Sequence, residues 1–217
     1  MFEKKNYKGK ELEAYKETLK LTDIQREILI GVLLGDASIS LKDGKPVYSV
    51  KFEQAIVNKE YIHHLYSIFE PFAGQIPLEY KDKSIWFRTY RHVCFKYYYD
   101  TFYFGVNNKK KVPKNIAKLL TARSLAYWYM DDGSMDQVAV DRYVQICLHT
   151  QGFDLSDNEL LRDALKEKFG IKASVHRDKT YYKLYITAES MLVFVDLVKP
   201  YILFCFEYKL PKFTPKN

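Results

Sequence analysis

Two apolar stretches that end in aspartate constrain this 217-residue chain more than any other feature. The first runs through residues 28–35 to Asp36, and the second runs through residues 124–130 to the pair Asp131 and Asp132. An apolar surface on nearly every side predicts buried helices. The partial negative charge at a helix C-terminus disfavours an aspartate there. We therefore expect a positive charge beside each acid, and a divalent cation is the candidate.

The second constraint is an internal repeat with an offset of 96 residues, the separation of Asp36 from Asp132. Leu65 and Leu161 share this offset, as do the turn signals at residues 81–83 and 177–179. The matching order predicts two αββαββα halves in an α+β protein. The predicted parts are an N-terminal arm or short helix at 1–20, a first half at 21–120 and a second half at 121–217.

Local patterns place the other elements. Thr22 and Gln25 form the capping-box pattern ahead of the first apolar helix, and Ser156 and Glu159 form it in the second half. Lys42–Lys45 carries a turn signal. Strand patterns cover residues 47–54, 75–80, 84–92, 143–151, 172–177 and 181–187. Helical patterns cover residues 58–72, 93–104, 114–120, 156–169 and 188–198.

Charge and composition narrow the class of partner. Lys and Arg number 34 against 27 Asp and Glu, which gives a net charge of +7 and favours polyanionic partners. The 14 Phe and 19 Tyr predict a core rich in aromatic residues. Three dispersed cysteines fit small buried side chains better than zinc or disulfides. With no signal peptide or membrane span in the pattern, we expect a soluble intracellular protein, in the cytoplasm or an organelle matrix.

The two acid-terminated stretches, residues 29–37 and 125–133, resemble the motif of the LAGLIDADG homing endonucleases. Two copies in one chain resemble the single-chain, intron-encoded, omega-type meganucleases, and the stretches at 106–110 and 208–211 support this. The resemblance implies two four-stranded antiparallel sheets that form a DNA-binding saddle around two packed motif helices. Gly31 and Gly35 supply the small residues of the helix contact, whereas the second copy has Tyr127 and Asp131 there. Ala37 replaces the final glycine of the first motif.

The resemblance also implies the active site. Asp36 and Asp132 would be catalytic and would bind Mg²⁺ (or Mn²⁺), with Lys110 and Lys209 as the basic catalytic residues. Lys111 competes with Lys110, because Lys111-Val112-Pro113 matches Lys209-Leu210-Pro211 more directly. The supporting residues implied are Glu53, Gln151, Gly35 and Asp131.

The implied substrate is double-stranded DNA with a long, pseudo-asymmetric target site, cut on both strands by a monomer to leave short 3′ overhangs. Alternating strand residues would face the DNA major groove. The predicted DNA contacts are Tyr48, Lys51, Lys81, Lys83, Arg88, Arg91, Arg177, Lys179 and Lys183.

Two alternatives use the same fold. One is a maturase that binds intron RNA and assists splicing, and the other is a DNA-binding regulator that does not cleave. Both motif acids are present, which favours the nuclease. The five histidines lack metal-ligand spacing and no Gly-rich nucleotide loop occurs, which disfavours His–Asn–His nucleases and ATP-driven enzymes.

Overall fold

The structure, a computed structural model, describes residues 7–42, 45–104, 109–138 and 143–211. The helices in this part of the chain are α1 (Gly9–Thr18), α2 (Asp23–Leu34), α3 (Lys59–Phe69), α4 (Lys96–Phe102), α5 (Ile116–Leu119), α6 (Ala122–Asp132), α7 (Leu155–Phe169) and α8 (Met191–Val198). The strands are β1 (Ser38–Lys42), β2 (Lys45–Ala55), β3 (Leu78–Tyr80), β4 (Ser84–Arg88), β5 (Gly133–Val138), β6 (Tyr143–Leu148), β7 (Ala173–Asp178) and β8 (Tyr181–Ile186). A 3₁₀ segment, Phe204–Lys209, follows α8.

The eight strands form two antiparallel sheets of the same topology. Their strand orders are β1-β2-β4-β3 and β5-β6-β8-β7. From α2 to α4 and again from α6 to α8 the elements follow the order αββαββα, apart from short 3₁₀ turns. This confirms the predicted α+β fold with a duplicated unit. The local patterns did not locate β1 and β5, which begin just after the motif acids.

The chain divides into two compact units whose boundaries differ from those of the two repeats. One contains residues 1–25 and 38–99, and the other contains residues 26–37 and 100–217. In the first, Phe52 packs on Phe69 and Phe87, with ring centroids 5.0 and 4.6 Å apart. In the second, the Tyr129 ring meets Phe194 edge-on at 5.0 Å. These buried aromatic rings form part of the core, as the composition predicted.

The 96-residue offset holds in the middle of each repeat. The buried positions of α3 at 61, 62, 65 and 69 correspond to buried positions 157, 158, 161 and 165 of α7. The offset then slips, because Phe52 pairs with Phe87 whereas Leu148 pairs with Leu184. The first hairpin turns through residues 81–83, and the second turns through 179–180 with Asp178 still in β7. The predicted equivalence of 177–179 with 81–83 is therefore wrong, since the first turn is one residue longer.

The helix ends test the capping predictions. Thr22 Oγ1 accepts from Gln25 N at 3.2 Å and Gln25 Oε1 accepts from Thr22 N at 2.9 Å, so the first capping box is confirmed. The box at Ser156 is wrong. Asp154 caps α7 instead, with Oδ1 accepting from Asp157 N at 3.0 Å, and the Ser156 hydroxyl donates to the same oxygen. A carboxylate at a helix N-terminus has the more favourable charge.

The predictions for the N-terminal helix, the cysteines and membrane spans can also be compared with the structure. The predicted N-terminal helix is α1. Its Tyr15 hydroxyl donates a hydrogen bond to the Pro71 carbonyl at 2.9 Å. Cys147 is buried as expected, but Cys94 and Cys205 are half-buried. In the described part of the chain, no helix is long and apolar enough to cross a membrane. The predicted turn at residues 43–44 and the stretch 106–108 lie outside the described residues.

Candidate active site

Helices α2 and α6 approach to backbone contact through the glycines of the first motif. A Cβ placed on Gly31 would overlap the Ser124 carbonyl oxygen and lie 2.9 Å from Tyr127 Cβ. A Cβ on Gly35 would overlap the side chain of Asp131. The expected close approach through small residues is therefore present, and it is one-sided. Gly31 lies in α2 and Gly35 directly follows it, whereas the larger side chains that fill the space belong to α6.

The acids of the two motifs meet where these helices end. Asp36 is exposed and lies two residues beyond α2, whereas Asp132 is the last residue of α6 and half-buried. The Asp36 backbone N–H donates to Asp131 Oδ2 at 3.2 Å, so Asp131 connects the two helix ends. Burial, together with the Asp36 carboxylate, raises the pKa of Asp132 to about 7, while Lys110 and Lys209 act to lower it.

A lysine binds the carbonyl end of each motif helix. Lys110 Nζ donates to Gly35 O at 2.7 Å and to Ala37 O at 2.9 Å. Lys209 Nζ donates to Met130 O at 2.6 Å and is 3.5 Å from Tyr129 O. Burial lowers the pKa of each lysine, and Asp36, Asp131 and Asp132 oppose that effect. These ammonium groups supply positive charge beside the acid-terminated helix ends.

Lys111 has a different environment from Lys110. Its Nζ forms an ion pair with Asp154 and lies 3.7 Å from Asp157 Oδ2, at the start of α7. Within the described residues, Lys110 and Lys209 thus share one kind of position, a helix carbonyl end near the motif acids, and Lys111 does not. The geometry favours Lys110 over Lys111 as the active-site lysine of the first half.

The donor set of Asp36 and Asp132 fits a hard divalent cation. Mg²⁺ prefers carboxylate oxygens and retains several waters, so two carboxylates can suffice. Burial and, after it, repulsion from Asp36 raise the pKa of Asp132, and a cation bound by the two acids would favour their charged forms. No group of three or more His, Cys, Asp or Glu side chains suited to a metal occurs among the described residues.

Of the predicted supporting residues, Glu53 lies near the end of β2 and Gln151 lies three residues after β6. In β2, Glu53 Oε2 pairs with Lys51 and its Oε1 accepts from Ser84 Oγ at 3.1 Å; the Lys51 hydrogen bond lowers the pKa of Glu53. The position equivalent to Glu53 is that of His149 rather than Gln151, because each follows the matched pair Phe52 and Leu148.

His149, which was not among the predicted residues, lies next to Asp132. Its backbone N–H donates to Asp132 O at 2.8 Å, and its Nε2 lies 2.8 Å from Ser134 Oγ. Gln151 Nε2 lies 3.5 Å from His149 Nδ1, so Gln151 is one step further from the acid. Applying the 96-residue offset to Glu53 would have identified His149.

The predicted DNA contacts divide between the faces of the two sheets. Lys51 pairs with Arg88 across β2 and β4, and both are half-buried on the face that carries Glu53 and Trp86. Lys51 Nζ also lies 5.4 Å from the Trp86 ring centroid. Lys81 and Lys83 are exposed in the first hairpin turn. These four residues are placed where a bound polyanion could reach them.

The structure corrects the prediction that Tyr48 contacts DNA, because its side chain is only 5% exposed. Alternation puts it on the core face with Val50 and Phe52, opposite to Lys51, and its ring lies 5.0 Å from that of Tyr99. Arg91, just past β4, is half-buried, and its Nη1 is buried with no hydrogen-bond partner among the described residues.

In the second sheet, Lys183 and Arg177 lie on opposite faces. Lys183 pairs with His176 across β7 and β8, and its Nζ is 2.6 Å from Asp178 Oδ2. Arg177 pairs with Tyr182, and its Nε donates to the carbonyl of Lys179, an exposed turn residue, at 2.9 Å. The prediction grouped these three basic residues, but the strand register separates Arg177 from Lys183.

Two copies of one αββαββα unit, with an acid at the end of each paired helix, define a duplicated single-chain architecture. Over residues 26–194 the sequence matches the LAGLIDADG DNA endonuclease family, and the chain belongs to that family. It is 34% identical over 205 residues to the probable intron-encoded endonuclease 1 of Wickerhamomyces canadensis, a match that covers 90% of this chain and 87% of the relative.

Two further comparisons extend this result. The homing endonuclease I-WcaI bound to its DNA recognition sequence has a similar structure, with a TM-score of 0.85 and 31% identity over 95% of this chain and 94% of that one. The cytochrome b mRNA maturase bI2 of Debaryomyces hansenii is 29% identical over 197 residues, which is 85% of this chain and 72% of the maturase.

Proposed function

We propose that this chain is a site-specific endonuclease that hydrolyses one phosphodiester bond in each strand of a double-stranded DNA target. The observation that carries the proposal is the convergence of two acids and two lysines at the ends of α2 and α6. One acid and one lysine belong to each repeat, which suits a substrate with two strands. The product would carry short 3′ overhangs, and the protein would act as a monomer.

In this proposal Asp36 and Asp132 hold Mg²⁺ or Mn²⁺. When bound, such a cation neutralises phosphate charge and lowers the pKa of bound water. Lys110 uses two of its three ammonium N–H groups on Gly35 O and Ala37 O, which leaves one for a phosphate oxygen or a water. Lys209 would act in the same way in the second half. Both ammonium groups would stabilise the negative charge that develops in the transition state.

The sheets would bind the DNA duplex. The proposed contacts are Lys51, Arg88, Lys81, Lys83, Lys179 and Lys183. Arg91, just past β4, and Arg177, on the face opposite to Lys183, are proposed to contact only phosphates. The net charge of +7 supports a salt-dependent affinity, with a slope of about 0.9 per phosphate neutralised.

A cleavage selection tests the proposal. The protein is incubated with a random duplex library and Mg²⁺, and the cleaved ends are sequenced. We expect breaks in both strands at one recurrent sequence, with a short 3′ overhang. Asp36→Asn and Asp132→Asn are the matched variants, since each keeps the size of the side chain while removing its charge. Breaks at random sequences would refute the assignment. So would either variant cutting both strands at the wild-type rate.

A second candidate function is intron RNA maturation, favoured by the similarity to the maturase bI2 of Debaryomyces hansenii. A wild-type protein that binds the structured RNA of its host intron tightly and cuts no duplex would support this candidate. Cleavage together with RNA binding would indicate both functions. A protein that binds DNA specifically without cutting it would be a regulator.

A further inference from the structure

The backbone that carries Lys110 is fixed on its C-terminal side by the neighbouring residue. Lys111 pairs with Asp154, the N-cap of α7, and lies 3.7 Å from Asp157 in the first turn of that helix. The hydrogen bond from Lys111 is the largest cause that lowers the pKa of Asp154, to about 2. An ion pair therefore attaches the segment after Lys110 to the start of α7.

Hydrogen bonds donated by main-chain N–H groups also fix this segment. Lys111 N donates to Phe102 O at 2.8 Å, and Val112 N donates to Asp157 Oδ1 at 3.4 Å. The side chains of Val112 and Pro113 are buried. Asp157 thus contacts both the main chain of Val112 and the charge of Lys111, and the chain can move there only if several contacts break together.

We infer that Lys111, Asp154 and Asp157 form an anchor, here called the α7 anchor, that positions Lys110 at the end of α2 for DNA cleavage. This inference rests on the proposed function. Lys110 reaches Gly35 O and Ala37 O through a flexible four-carbon stem, so its placement depends on a fixed backbone. Backbone slippage by one residue, about 3.5 Å, would exceed the tolerance of these hydrogen bonds. The three residues of the anchor are positioning residues.

Lys209 is positioned by different chemistry. The Tyr129 hydroxyl donates to Lys209 O at 2.6 Å, and Tyr129 lies on α6, the helix whose carbonyl end Lys209 binds. An ion pair of its neighbour therefore helps to position the first lysine, whereas a neutral hydrogen bond to its own carbonyl helps to position the second. The two halves are thus predicted to respond to different substitutions.

The test measures the cleavage rate of each strand separately, on a target duplex whose strands carry different dyes. Lys110→Met and Lys209→Met first show which strand depends on which lysine. Lys111→Met and Asp154→Asn should then slow the strand that depends on Lys110 by roughly 10- to 100-fold, the range expected for a misplaced catalytic group. Asparagine can still cap α7, so Asp154→Asn removes the charge and keeps the cap.

The matched variant is Tyr129→Phe, which should slow the strand that depends on Lys209 and leave the other strand unchanged. Lys111→Arg keeps the ion pair and should restore the rate lost in Lys111→Met. Equal slowing of both strands by Lys111→Met, or no slowing of either, would overturn the anchor even while wild type cuts normally. A wild-type protein that cuts no duplex would instead overturn the proposed function, and the inference with it.

Discussion

Replacing Gly31 with alanine should push the motif helices apart, because it adds one methyl group where they touch. In Gly31→Ala the new Cβ would overlap the Ser124 carbonyl oxygen and lie 2.9 Å from Tyr127 Cβ. Overpacking costs about 1–3 kcal/mol, and we expect the upper end because the obstructing atom belongs to the main chain of α6. Alanine returns about 1 kcal/mol through its higher helix propensity. The net loss of unfolding free energy is then about 2 kcal/mol.

Urea denaturation at constant pH measures this loss directly. At about 2–4 °C per kcal/mol for a chain of this size, the melting temperature should also fall by about 4–8 °C. Gly152→Ala is the control, because a Cβ at Gly152 has no atom within 4 Å among the described residues other than its chain neighbours. Its effect should stay within about 0.5 kcal/mol. Equal stabilities of the two variants would refute the view that α2 and α6 pack at backbone contact.

Three further predictions concern the site, the DNA surface and acid stability. Asp132→Asn should abolish double-strand cleavage while leaving DNA affinity within a few-fold of wild type. A cleavage assay measures the first effect and a gel shift measures the second. Full cleavage would contradict the role of this acid. Lys51→Ala should lower the salt slope of DNA binding by about 0.9, whereas Tyr48→Phe should leave the slope unchanged, since Tyr48 is buried. Because Lys111 holds the pKa of Asp154 at about 2, the Asp154 carboxylate contributes stability above its unfolded pKa of about 3.9. That contribution should be lost as the pH falls from about 4 to about 2, and Asp154→Asn should flatten this part of the stability curve; an unchanged curve would argue against the ion pair.

The acid-terminated helices and the duplicated order of elements could be predicted from the sequence, because they depend on local patterns and on one offset. A long apolar run is favourable only when it is buried. The capping box of Thr22 and Gln25 involves residues only three positions apart. These predictions needed no information on how distant segments pack. The offset also held through Leu65 and Leu161, which occupy the same buried position in α3 and α7.

The errors and the open choices arose where the sequence offers neighbouring residues that the folded chain places differently. Tyr48 and Lys51 both looked suited to DNA, but strand alternation places them on opposite faces of β2. Lys110 and Lys111 are adjacent and chemically alike, and only the position of Asp154 on another element separates their environments. His149 was overlooked because nothing local marks a histidine that follows a strand.

The unequal contact between the motif helices also bears on how the two repeats can recombine. Gly31 and Gly35 leave space that Tyr127 and Asp131 fill, and Asp131 accepts the hydrogen bond from Asp36 N. Two copies of α6 would bring their bulky positions together, and two copies of α2 would lack that acceptor. The repeats are therefore complementary and no longer interchangeable. A chimaera built with a relative should therefore exchange α2 and α6 as a pair.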